Sequence, residues 1–191
     1  GGSRFCARAV REHSLRFGGG AIYDIENNKE YLRDAISSNA ITDLGDIDIT
    51  PSRADVTMDK LTTVIKKIID QGILPIVLGG DHTITYPIVR GFNKPIHVVQ
   101  FDAHMDYSKI EEGMKYTNST SFRLLHELDH VKSLSQVGTR SMRDQKSDVN
   151  DALNNGSRII KMSEWCWSTR VKLLRKKRRK NDSWWRITNN K

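Results

Sequence analysis

Two short apolar runs, each ending on a block of carboxylate and imidazole side chains, constrain this 191-residue chain more than any other feature. Residues 73–78 (ILPIVL) lead into Gly79-Gly80-Asp81-His82, and residues 96–101 (IHVVQF) lead into Asp102-Ala103-His104-Met105-Asp106. A continuous apolar run bounded by turn residues predicts a strand buried on both faces of a parallel sheet. In such sheets ligands gather at the carboxyl ends of the strands, where both blocks lie. Alternate side chains of an extended segment share a face, so Asp102, His104 and Asp106 are expected to point the same way. Three ionisable groups side by side at a buried strand end need a compensating cation. Carboxylate with imidazole suits a borderline-hard divalent ion such as Mn2+ better than it suits structural zinc. A bridging carboxylate further suggests two ions about 3.5–4 Å apart that activate a water. Taken alone, Gly-Gly-Asp-His also reads as a turn with Asp81 capping a helix.

The surrounding pattern agrees with an α/β layer fold. Val56, Leu61, Val64, Ile65, Ile68 and Ile69 have the spacing of one helical face, predicting a helix over 56–70 closed by Gly72. Further helices are expected at 7–17, 83–91, 119–129 and 143–154. Strands are expected at 133–137 and 157–160, and a strand with its turn at 40–49. Strand–helix alternation of this kind implies a mainly parallel sheet.

Composition divides the chain. Residues 170–180 hold eight Lys/Arg and no acid, and without them 23 basic residues face 23 acidic ones. All four tryptophans, Trp165, Trp167, Trp184 and Trp185, also fall near this end. The expected organisation is therefore a globular body over 1–164 and a basic, Trp-containing tail over 165–191 that is not part of the fold. No stretch approaches the roughly 18 apolar residues of a membrane span, and no signal-peptide core follows the N-terminus. Gly1 stands where a Met would start a gene product, so sequence before it is expected. Cys6 and Cys166, without metal-ligand spacing, read as two reduced thiols.

Several blocks carry a resemblance. LGGDHT at 78–83 and FDAHMD at 101–106 resemble the first two signature blocks of the ureohydrolase (agmatinase/arginase) family. GSRFCARAVREHS at 2–14, DLGDID at 43–48, QVGTRS at 136–141 and IIKMSE at 159–164 fit the same pattern in order, closer to agmatinase-like members than to arginases. The resemblance implies a three-layer arginase-type α/β fold with a mainly parallel sheet, here truncated on its C-terminal side. It implies a Mn2+ pair whose bridging hydroxide attacks a guanidinium carbon and releases urea. Agmatine, giving putrescine and urea, is the implied substrate, with guanidinobutyrate, arginine or a formimidoyl compound as alternatives. Carried over by motif, His82 and Asp106 each serve one ion, His104 serves the other, and Asp102 bridges the two. A cytoplasmic homo-oligomer is also implied.

The chain departs from that pattern in three places. Family members complete the site with a later S-x-D-x-D-x-x-D-P strand, and nothing after Asp106 has this form. Asp144, Asp148 and Asp151 read as a solvated helix face, and Asp46-Ile47-Asp48 reads as structural or turn-forming. Without two of six anchors, two cations would lack the anionic charge between them, so a single weakly held ion and impaired catalysis are expected. Second, Asn118 stands where many members carry a His. Asn can hydrogen-bond there but cannot titrate, which makes it a substrate or proton-shuttle position, with a helix-capping role as the alternative. Third, the tail matches nothing expected, and a frameshift or truncated gene model is the expected origin. A polyanion-binding arm is the alternative from another class, although nucleic acid is not the expected partner.

Overall fold

The computed structural model describes residues 2–17, 22–34 and 38–165. The eight-cation run and Cys166 lie outside these residues, and so does all of the expected tail except Trp165. Cys6 is a free thiol. No helix among the described residues is long and apolar enough to cross a membrane. The chain forms two compact units, one running to Phe92 and including Tyr116–Asn118, the other comprising Asn93–Lys115 and the described residues from Ser119.

The first unit is built around α2 (Ala54–Asp70), matching the helix expected over 56–70. Its inner face buries Met58, Leu61 and Ile65, at helical spacing. Gly72 (φ +74) ends it, with the Gly72 N–H on the Ile69 carbonyl and the Ile73 N–H on the Ile68 carbonyl. That pair of bonds is a Schellman cap, which favours glycine at the left-handed position. The short helix α3 (Thr85–Arg90) packs on α2. There Arg90 Nε donates to Thr62 Oγ1 at 2.9 Å and Arg90 Nη2 to Asp59 at 2.6 Å. At the N-terminus α1 (Cys6–Ser14) buries no residue of its own. It is tied down by charge, with Arg11 Nε 2.6 Å from Asp43 and Arg11 Nη1 2.5 Å from Asp46.

Two expected strands are not formed in this unit. Residues 40–49 carry no strand, because the Asp43 carboxylate accepts the Gly45 N–H at 2.9 Å and turns the chain. Asp46 and Asp48 then pair with Arg11 and Lys60, in keeping with their structural reading, and Asp43 pairs with Arg11 as well. Residues 73–78 also pair in no ladder among the described residues, and Leu74 and Ile76 are 81% and 77% exposed. Their apolar pattern is strand-competent, but a strand exists only with a neighbour to bond. Conversely, the hairpin of β1 (Ile22–Asp24) and β2 (Lys29–Tyr31) was not expected. Its turn is closed by the Asp24 carboxylate, which accepts the Glu26 and Asn27 N–H groups.

The second unit holds a parallel three-stranded sheet in the order β3-β4-β5: β3 (Ile96–Phe101), β4 (Val131–Thr139) and β5 (Arg158–Lys161). All three strands fall where the sequence predicts them. Central β4 buries Leu134, Gln136 and Val137. β3, at the edge, is not buried on both faces as expected: Ile96, Val98 and Gln100 turn inward while Val99 and Phe101 are exposed. The helix expected over 119–129 is a single turn, α4 (Ser121–Leu124), continued by a 3-10 turn over Leu125–Glu127. The chain must bend at Leu128 to enter β4, with the Val131 N–H bonded to the Leu128 carbonyl. Helix α5 (Lys146–Asn154) connects β4 to β5 and buries Asp148 and Ala152.

Next to α4, His126 sits with its ring 5.7 Å from that of Tyr107 and its Nε2 3.1 Å from Ser157 Oγ. Burial holds its pKa below the ordinary value of 6.5. A lowered folded pKa means that the unfolded chain binds the proton first, so stability falls as pH drops below about 6.5. His126→Gln, which keeps a polar group near Ser157 but cannot titrate, should flatten part of the melting-temperature decline as pH falls below about 6.5. Equal slopes for the two chains would show that His126 is not its source.

Candidate metal centre

The second apolar run delivers its ligands through a turn. Asp102 extends the β3 ladder by one residue, its N–H on the Val137 carbonyl at 3.1 Å. Its Oδ1 then accepts the His104 N–H at 2.9 Å, and the Ala103 carbonyl accepts both Arg140 and Ser141 N–H groups. The strand has therefore ended, and Asp106 takes a left-handed conformation with φ +48. The expectation that Asp102, His104 and Asp106 share a face by strand alternation is corrected. The turn instead brings a carboxylate oxygen of Asp102 and one of Asp106 within 4.8 Å of each other. His104 is outside that group, its Nδ1 lying 3.3 Å from Asp102 Oδ1. Asp102 is mostly buried, at 20% side-chain exposure, and His104 half exposed at 51%.

A dense set of side chains holds this loop from below. Gln136 Nε2 donates to the Met105 carbonyl at 2.6 Å and to Gln100 Oε1 at 2.7 Å, and Gln100 Nε2 reaches the His104 carbonyl at 3.2 Å. Asp144 Oδ1 accepts the Met105 N–H at 3.3 Å. Tyr107 is 1% exposed; burial raises its pKa, against the opposing pull of an Asn155 hydrogen bond and the Arg123 charge. Arg123 bonds the carbonyls of Tyr107 and Ser108 and both Asp148 and Asp151. The solvated-face reading of Asp144, Asp148 and Asp151 is thus overturned. Asp144 precedes α5 and takes up the Met105 N–H, while Asp148 and Asp151, three residues apart on α5, both meet the shielded Arg123 guanidinium, which needs partners there. Gln100 and Gln136, paired in register on β3 and β4, were also missed. Their signal was the period of 2, which places Gln100 on the face of Ile96 and Val98 and Gln136 on the face of Leu134.

In the first unit, Asp81 Oδ1 accepts the Thr83 N–H at 3.0 Å and caps the 3-10 turn His82–Ile84 that His82 opens. Gly80 is required by contact: a Cβ there would lie 2.5 Å from the Ser3 carbonyl carbon. His82 is half-buried. Asn118 is exposed and does not cap α4, whose N-cap is Thr120. Tyr116, two residues before it, stacks on Tyr86 with centroids 6.0 Å apart.

Beside Asp102 the carboxyl ends of the second unit's strands open a hollow of about 460 Å³, lined by Phe101, Val137, Arg140 and Trp165 among others. Two close carboxylates with an imidazole beside them form an oxygen-rich donor set, which fits a hard or borderline divalent ion.

The arginase-family model matches residues 1–181. An uncharacterised 32.2 kDa protein of Methanothermus fervidus is 32% identical over 148 residues, covering 77% of this chain and 48% of that protein. A guanidinobutyrase of Pseudomonas aeruginosa is 30% identical over 177 residues, covering 87% of this chain and 51% of the relative. Among solved structures, a formimidoylglutamase from Bacillus subtilis superposes with a TM-score of 0.73 at 22% identity, covering 92% of this chain and 54% of that one. That likeness shows the arginase-type α/β fold. The chain spans about half the length of these relatives.

Proposed function

The chain belongs to the arginase family, and on that premise we propose that it carries the manganese-binding part of an amidinohydrolase that splits a guanidino C–N bond. Agmatine is the proposed substrate, with putrescine and urea as products, in a cytoplasmic homo-oligomer. The observation that carries the reading is the approach of the Asp102 and Asp106 carboxylates, within 4.8 Å, inside the FDAHMD block at the end of β3. We assign His82, Asp102, His104 and Asp106 as the ligands. When bound, Mn2+ supplies the positive charge that makes water a nucleophile near neutral pH. The acidic loop also favours a cationic guanidinium over neutral amides. Asn118 is assigned to the substrate, where its amide can hydrogen-bond the leaving amine but cannot protonate it. The guanidinobutyrase relative supports guanidinobutyrate as the alternative substrate.

A second reading has its own support. Within these 191 residues no S-x-D-x-D block follows Asp106, and a centre built from His82, Asp102, His104 and Asp106 alone has donors for one ion and would turn over poorly. Metal counting on the Mn2+-loaded, desalted chain separates the two, alongside urea release from agmatine, guanidinobutyrate and arginine. Two ions per chain with urea support the enzyme, and one ion without urea supports the impaired form. A chain that retains no Mn2+ sinks both.

A further inference from the structure

We infer that Arg123 is the positioning residue of the Asp102–Asp106 loop: braced on Asp148 and Asp151, it fixes the backbone that carries Asp106 and so sets how tightly the loop holds a divalent cation. The second half of this inference rests on the metal reading above. Arg123 Nε lies 3.0 Å from the Tyr107 carbonyl oxygen and 2.9 Å from that of Ser108. Its Nη2 lies 3.2 Å from Asp148 Oδ1 and 3.0 Å from Asp151 Oδ2, and its Cζ stands 4.7 Å above the Tyr107 ring. The preceding residue completes the clamp, because the Phe122 N–H donates to the Asp106 carbonyl at 3.1 Å. Three successive carbonyls, 106 to 108, are therefore held by residues 122 and 123.

What they hold is a strained residue. Asp106 sits at φ +48, which L side chains resist, so relaxing its backbone would re-aim the carboxylate. The guanidinium suits the task because its fixed fork reaches the carbonyls from Nε and the acids from Nη2. Arg123 and Asp148 are shielded, at 18% and 9% side-chain exposure, so the bonds are not traded freely for water. A Lys at 123 keeps the charge but is a point donor and cannot span both sets of acceptors.

The test compares the full chain with Arg123→Lys and with Leu134→Val, a buried β4 change elsewhere in the same unit. Hydrogen exchange without metal should rise about tenfold or more in peptides covering 103–109 of Arg123→Lys, and the sheet peptides should change no more than in Leu134→Val. The Mn2+ dissociation constant should weaken roughly 10–100-fold, the usual cost of losing an outer partner of a metal site. Exchange that rises evenly over the unit, or an unchanged loop, overturns the positioning role. Unchanged Mn2+ affinity overturns the link to the metal. If the unaltered chain binds no Mn2+, the metal reading itself falls, and the exchange pattern alone decides the role of Arg123. Should Arg123→Lys fail to fold, Asp151→Asn removes one brace at a more exposed residue and must give the same loop-confined effect, smaller in size.

Discussion

Asp102→Asn is expected to weaken Mn2+ binding by more than about 100-fold, beyond the loss that removing an outer-shell partner produces, while leaving the far-UV spectrum of the chain unchanged. The substitution separates charge from geometry. Asn keeps a side-chain oxygen that can accept the His104 N–H, now held by Asp102 Oδ1 at 2.9 Å, so the turn survives. What disappears is the negative charge and the ligand basicity of one of the two carboxylates that approach within 4.8 Å. Asp48→Asn is the matched control. It alters the Asp46-Ile47-Asp48 pair, whose Asp48 lies 2.7 Å from Lys60 Nζ, and should leave affinity unchanged. Calorimetric titration with MnCl2 reads both. Equal weakening in the two variants would mean diffuse electrostatic attraction, and no weakening at Asp102 would remove the ground for a metal centre in this loop.

The contrast between these two acidic pairs shows what the sequence could disclose. Periodicity located α2, β3, β4, α5 and β5, because those segments bury a face and burial leaves a period of 3.6 or 2. It failed at 40–49 and 73–78 for a common reason. Apolar content says that a segment could be a strand, but the bonds of a strand come from a neighbour, and the sequence does not name one. Asp43 diverts the first segment into a turn, and the second leaves Leu74 and Ile76 exposed. At the site, residue types and spacing singled out Asp102 and Asp106, but for a mistaken reason. Strand alternation cannot align them once β3 ends at Phe101, and the left-handed turn at Asp106 does. The supporting residues were illegible because each reads as ordinary alone. Asp148 resembles any helix carboxylate until Arg123, 25 positions away in sequence, is known to stand 3.2 Å from it.

Gln136→Leu is expected to cost about 2–4 kcal/mol in urea unfolding, a large share of the stability of a domain this size. Gln136 is fully buried, and its Nε2 donates to Gln100 Oε1 and the Met105 carbonyl. Leu fills a similar volume but strands both acceptors, and a buried unsatisfied acceptor costs roughly 1–3 kcal/mol. Two effects work the other way: Gln136 Oε1 is itself buried with no hydrogen-bond partner among the described residues, and Leu would remove that cost and add apolar burial. The sign therefore depends on whether the stranded acceptors outweigh the relieved one, and two against one decides for destabilisation. Gln100→Leu in the same background gives the sharper reading. It deletes the Oε1 acceptor that Gln136→Leu strands, so the double variant should lose about 1–2 kcal/mol less than the two single losses added together. Strict additivity would mean that the two amides do not act as a pair beneath the metal loop. With the pair intact, the backbone at His104 and Met105 is held between two strands, which keeps the acids on either side of it at a fixed separation.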